Sequence, residues 1–273
     1  MKKPVLTFRG VRGSMPVSGN HTHRHGGHTL CIDVAVDDRT VVLIDSGTGI
    51  TRLDRETAPS GPTDYHIFLT HYHWDHLQGL LFFRPLFDSD NHFTFYGHQW
   101  EGMSSRQAIE GALRPPWFPI TIQETAAEKA YVTLGETTVE LGNVKVTAAP
   151  LRHPQGVTSY RIDGPSRSIV VATDCERGEA EADERLRVLA TGADMLVHDA
   201  QYSPEEYEDH FIGWGHSTWA QAVQAAREAA VKELILISHD PARSDDEIDS
   251  LTALARKSFP DTRAAFEGMQ IEL

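Results

Sequence analysis

Cysteine is nearly absent: Cys31 and Cys175 are the only two in 273 residues. Two thiols make at most one bridge, which excludes a disulfide-stapled scaffold or a thiolate metal knot and suits a reducing, cytoplasmic setting. No apolar run approaches the roughly 20 residues of a membrane-spanning helix. The start, MKKPVLTFRG, is charged but has no apolar h-region or small-residue cleavage site, so no signal peptide is expected. Positive charge is also scarce: 25 Lys and Arg stand against 39 Asp and Glu, a formal net charge of −14. Such a chain lacks the broad basic field from which non-specific nucleic-acid binding draws its affinity. A small anion held by bound cations stays compatible. Missing too are a Pro/Ser-rich linker, a repeat of fixed period and a low-complexity tract, so one domain spanning 1–273 is expected.

What is present alternates between hairpins and strand–helix units. VLTF (5–8), LCIDVAV (30–36) and TVVLID (40–45) read as strands, followed by a helix at ITRLDRETA and a strand at HIFLT (66–70). Residues 137–149 predict a hairpin turning at Gly142-Asn143. SIVVATD (168–174), MLVHD (195–199) and ELILISHD predict further strands, and helices are expected near 179–190, over 217–233 with Ser217 or Thr218 as N-cap, and over 244–258. This mixture predicts an α/β sandwich with two sheets back to back and helices outside.

Polar, ionisable residues gather where strands end. THYHWDH puts His71, His73, Asp75 and His76 directly after an apolar run, with a helix expected at LQGLLFF. A packed core has no use for that density of charge-capable groups. His153, Asp174 and His239 also sit at strand ends, where a rigid scaffold can converge distant side chains. Imidazole and carboxylate without thiolate suit zinc, manganese or iron. Seven candidate ligands exceed the three that a catalytic zinc usually takes from protein and fit two divalent metal ions sharing one carboxylate.

HYHWDH resembles the H-x-H-x-D-H signature of the metallo-β-lactamase superfamily, and His153, Asp174 and His239 follow in that family's order. The resemblance implies an αββα sandwich in which His71, His73 and His153 hold one metal, Asp75, His76 and His239 the other, and Asp174 bridges. LVHDAQY (196–202) and GWGHSTW (213–219) resemble paired loops of the tRNase Z-like branch, with Asp199 where relatives carry Glu, and His216. RGS (12–14) and GGHTLC (26–31) resemble it as well, although His28 replaces an asparagine. By that likeness a metal-bridging hydroxide attacks phosphorus, Asp75 takes part in the catalytic centre, and His216, charged by Asp199, protonates the departing alkoxide.

The same branch includes enzymes that process tRNA, many with a long arm between the lone histidine and the bridging aspartate. Here Asp174 follows His153 by 21 positions, enough for two strands and a turn but not for an arm. The expected substrate is therefore a small phosphodiester, such as a cyclic nucleotide or cyclic phosphate, with no large nucleic acid and no membrane partner. A homodimer is compatible with the family. Alternatives are a lactonase- or thioesterase-like hydrolase acting on an acyl carbon, an armless tRNA 3′-end endoribonuclease, and a non-catalytic binding module. NHTHRHGGH (20–28) is read as a mobile polar loop, Asp45 as a support beneath the metals, Trp74 as packing, and LRPPWFPI (113–120) as a flap or dimer contact.

Overall fold

The computed structural model describes residues 3–56, 61–135 and 137–273. Three antiparallel strands, β1 (Val5–Gly10), β2 (Cys31–Ala35) and β3 (Thr40–Ile44), open the first sheet. After helix α1 (Ile50–Glu56) the chain turns to parallel pairing: β4 (Asp64–Phe68), β5 (His92–His98) and β6 (Glu128–Leu134) add in order. Helices α2 (Trp74–Leu77) and α3 (Ser105–Ala112) lie in the crossovers.

The second sheet repeats this plan. An antiparallel set, β7 (Thr138–Leu141), β8 (Val144–Leu151), β9 (Val157–Asp163) and β10 (Ser168–Ala172), is followed by parallel strands β11 (Met195–Asp199), β12 (Glu233–Ile237) and β13 (Thr262–Ala264). Between them run α4 (Ala180–Ala190), α5 (Pro204–Glu206), α6 (Trp219–Ala229) and α7 (Asp245–Ser258). The last strand, β14 (Gln270–Glu272), crosses back to pair with β1. The resulting orders are β14-β1-β2-β3-β4-β5-β6 and β13-β12-β11-β10-β9-β8-β7.

Alternation along the strands puts one apolar set between the sheets. Phe8, Ile32, Ile44 and Phe68 meet Val146, Tyr160, Val171, Val197 and Ile235 in a common core. The opposite faces are covered by helices, with Leu186, Val223 and Ala255 over the second sheet and Ile50, Leu53 and Ile109 over the first. This is the expected αββα sandwich. Brief parallel strands end together on one rim, and that rim carries the polar clusters.

Several boundaries differ from expectation. The 217–233 helix begins as anticipated, with Thr218 and Gln221 forming a reciprocal capping box, but it stops at Ala229. Ala230 adopts a left-handed conformation (φ 54°), and the chain bends so that Val231 reaches the core before β12. LQGLLFF forms no continuous helix: α2 ends at Leu77, and a 3-10 turn covers Leu80–Phe82. A Cβ on Gly79 would stand 2.1 Å from the Gly47 carbonyl, so this glycine permits the close approach. HFTFYGH and EKAYVTL, two strands the periodicity did not single out, complete the first sheet. The hairpin at Gly142-Asn143 forms as expected, pairing Leu141 with Val144.

Two hydrogen bonds tie β9 to the segment after β4 directly beneath the rim: the buried Tyr160 hydroxyl donates to the Leu69 carbonyl at 2.6 Å, and the Thr158 amide donates to the Thr70 carbonyl at 2.8 Å. Tyr160→Phe keeps the packing and deletes the first bond, so urea denaturation should register a loss of about 1 kcal/mol. An unchanged unfolding midpoint would show that the Tyr160 bond contributes nothing to joining the sheets.

Candidate metal centre

Three strand ends on the rim turn through left-handed backbone at non-glycine residues: Asp45 (φ 61°) after β3, Asp174 (φ 50°) after β10 and Ser238 (φ 58°) after β12. Such conformations are costly and persist where surrounding bonds over-determine them. Thr173 and Ser238 hydroxyls supply that support, both donating to Asp174 Oδ1 at 2.5 and 3.1 Å. The other oxygen, Oδ2, is left facing His76 Nε2 at 3.3 Å and His216 Nε2 at 3.9 Å.

The histidines of the cluster each commit one ring nitrogen to an acceptor, which orients the ring and turns the other nitrogen inward. His153 Nδ1 donates to the Gly215 carbonyl at 2.8 Å, and His73 Nε2 donates to Gln155 Oε1 at 2.7 Å. His76 Nδ1 donates to Asp45 Oδ2 at 2.8 Å. Thr70 Oγ1 gives its own proton to Asp45 and so accepts from His71 Nδ1 at 3.0 Å. The buried Asp45 carboxylate, also receiving the Thr70 amide, thus orients two rings at once.

Ligand-capable atoms converge as a result. His71, His73 and His153 bring one nitrogen each within 4.8 Å of one another; so do His71 and His76 with an oxygen of Asp174, and His216 with oxygens of Asp174 and Asp199. His71 Nε2 is buried with no hydrogen-bond partner, and His73 Nδ1 lies 3.2 Å from His153 Nε2. Two nitrogens on one tetrahedral zinc at about 2.0–2.1 Å would lie roughly 3.3 Å apart. Burial holds the pKa of His71 well below its ordinary value, and that of His153 falls to about 4, so both stay in the neutral, ligating form. For His76, burial pulls downward, but Asp75, Asp174 and Asp45 reverse the effect and hold it well above normal. Three carboxylates around one imidazole mark a place where positive charge is favoured. Asp75 lies 3.2 Å from His76 Nε2 through Oδ2. The donor set fits a pair of divalent cations.

His239 is not among these groups. It follows β12 as expected, but its Nε2 donates to the Ala265 carbonyl at 3.1 Å and its ring packs edge-on to His25 at 5.5 Å. Its lone pair is therefore on Nδ1.

Asp199, at the end of β11, accepts from His216 Nδ1 at 2.7 Å and from the Ser217 amide at 2.8 Å. Burial alone would lower the pKa of His216. The charges of Asp199 and Asp174, with the Asp199 hydrogen bond, outweigh burial and raise it to about 9. The Asp199 carboxylate thus favours the protonated imidazole, and His216 Nε2 faces the cluster.

A cavity of about 590 Å³ opens over this floor. His73, Asp75, His153, Asp174 and His216 line it, and Trp74 borders it with 53% of its surface exposed, which corrects its reading as a packing residue. The reading of residues 20–28 as a mobile loop is corrected in one respect: His25 is buried and bonded to Asp249 and Ala265, and neither it nor His28 lines the cavity. Glu176 escaped sequence reading altogether. Its buried carboxylate accepts the amides of Gly213 and Gly215 at 2.7 and 2.9 Å, holding the loop that presents His216. Only its place two residues after Asp174 could have drawn attention to it.

Comparison with known proteins agrees with this architecture. A family model described as "Beta-lactamase superfamily domain" matches residues 40–239. The ribonuclease Z of Bacillus velezensis is 25% identical over 311 residues, covering 97% of this chain and 98% of that protein. Among solved structures, the metallo-beta-lactamase fold protein YhfI from Bacillus subtilis superposes with a TM-score of 0.75 at 20% identity, covering all of both chains. A diphosphatase of the PhnP family does so with 0.73 at 20% identity, covering 99% of this chain and 98% of the other. The chain belongs to the metallo-β-lactamase superfamily, in its tRNase Z-like branch of hydrolases.

Proposed function

We propose that the protein is a dinuclear-metal phosphodiesterase acting on a small diester, a cyclic nucleotide or cyclic phosphate. The observation that carries this reading is the placement of His216: its Nδ1 is held by buried Asp199 at 2.7 Å, and its Nε2 stands 3.9 Å from the same Asp174 oxygen that faces His76. A thioesterase has less need of such an acid, because a thiolate leaves unprotonated whereas phosphodiester cleavage must expel a basic alkoxide.

His71, His73 and His153 would hold one cation, Asp75 and His76 the second, with Asp174 between them. The family pattern adds His239 to the second, although here its Nε2 is engaged by the Ala265 carbonyl. Zinc suits these donors first, manganese or iron next. Bound there, the cations would supply an acidified water and a charge clamp on the phosphoryl oxygens. The chain's own residues do the rest. Asp45 fixes the rings of His71 and His76, while Gln155 and the Gly215 carbonyl fix those of His73 and His153. As the water oxygen bonds to phosphorus and the opposite P–O bond breaks, His216 Nε2 gives its proton to the leaving oxygen. The proton lost by the water balances that transfer, so diester and water become monoester and alcohol.

The ribonuclease Z likeness favours a second reading, cleavage of RNA. Two features weigh against it. The alignment spans 311 positions although this chain has 273 residues, so that relative carries segments with no counterpart here. The interval from His153 to Asp174 is occupied by the β9–β10 hairpin.

Purified protein loaded with Zn²⁺ or Mn²⁺ should hydrolyse bis(p-nitrophenyl) phosphate and at least one cyclic nucleotide, and exhaustive chelation should abolish both activities until metal is returned. Turnover that survives chelation would refute the metal requirement. His216→Ala should lower kcat about 10²–10⁴-fold on alkoxide-releasing diesters and far less on p-nitrophenolate release. Equal, small losses on both would favour the acyl reading. Asp45→Asn should weaken metal affinity about 10–100-fold in competition with a chromophoric chelator; unchanged affinity would remove Asp45 from its orienting role.

A further inference from the structure

The cavity wall differs in character from its floor. None of the described residues lining it is a lysine or arginine, so the wall offers no such cation to a second phosphate. Aromatic side chains take that space instead. From His216 outward they form a connected series: Tyr202 meets His216 at right angles (5.9 Å), stacks flat on Phe211 (4.2 Å, 6°), and Phe211 meets Trp214 edge-on (5.4 Å). Trp214 ends the series with 62% of its surface exposed.

An indole this exposed normally belongs to a loose surface loop, but this one does not. The amides on either side of it, those of Gly213 and Gly215, are both bound by the buried Glu176, whose Oε1 also accepts the Tyr207 hydroxyl at 2.7 Å. Gly215 has a left-handed φ of 90°, and a Cβ there would stand 2.2 Å from His153 Nδ1. The loop that presents Trp214 is therefore locked to the metal centre and to the acid His216.

Resting on the phosphodiesterase reading, we infer that Trp214, at the end of the Phe211–Tyr202 series, stacks the nucleobase of a substrate no larger than one or two nucleotides with a single reacting phosphate. The series starts at His216, so the base lies on the His216 side of the reacting phosphate. A cavity of about 590 Å³ holds one nucleoside and its phosphate in the usual range for small-molecule sites, about 300–1,000 Å³. Base–indole stacking tolerates any base and accounts for roughly 5–150-fold in affinity.

Zinc-loaded protein is titrated with adenosine 5′-monophosphate and with ribose 5-phosphate, following tryptophan fluorescence and calorimetry. The nucleotide should bind at least tenfold tighter than the sugar phosphate. Trp214→Ala should erase that difference and raise KM for the cyclic nucleotide while leaving kcat and metal content near wild type; Trp214→Phe should restore part of it. Equal binding of the two probes by the wild type, with bis(p-nitrophenyl) phosphate still hydrolysed, would overturn the stacking role and leave the phosphodiesterase reading intact. Loss of binding and of all diester hydrolysis would overturn both. A single-stranded RNA oligonucleotide binding more than tenfold tighter than the mononucleotide would overturn the size limit.

Discussion

The two innermost rings at the rim, those of His71 and His76, depend on one buried carboxylate. Asp45, fully buried and forced into left-handed backbone, accepts from the Thr70 amide, the Thr70 hydroxyl and His76 Nδ1. Through the threonine it also sets His71. A ring nitrogen can ligate only if its proton sits on the other nitrogen, so this one group decides whether two imidazoles offer lone pairs to the same point in space. Gln155 and the Gly215 carbonyl perform the same service for His73 and His153. The converged, bare nitrogens and the carboxylates beside them are what make a cation favourable there.

The fold supplies the convergence. Each sheet changes from antiparallel to parallel pairing, and the parallel strands of both sheets discharge their carboxyl ends onto one rim. Asp45, Thr70 and His71 come from the first sheet, and Asp174, Asp199 and Ser238 from the second. The apolar core between the sheets, with Tyr160 bonded across to Leu69, keeps the two halves of the centre in register. The acid His216 is then placed by a helix N-terminus, since Thr218 caps α6, and by the Glu176 clamp on the loop before it.

Much of this was legible because the chemistry is local in the chain. HYHWDH announces itself by placing four metal-capable side chains within six residues, and β11 and the β7–β8 hairpin followed from pattern and turn residues. Other features arise only when the chain folds. Glu176 gains its role by meeting two glycine amides 37 and 39 residues away. His239 looked like its partners in sequence, yet the Ala265 carbonyl and the His25 ring decide how it sits. The exposure of Trp74 and Trp214 is likewise a tertiary fact, because an isolated tryptophan in a sequence reads more naturally as core. The end of α6 was missed for a local reason: Ala230 adopts a conformation its side chain does not favour, because Val231 is drawn into the core.

The most decisive experiment is an anomalous-scattering map from crystals grown with manganese. Two peaks are expected, one bounded by His71, His73 and His153 and the other by Asp75 and His76, with Asp174 in contact with both. A single peak, or manganese found only away from these side chains, would contradict the account at its root.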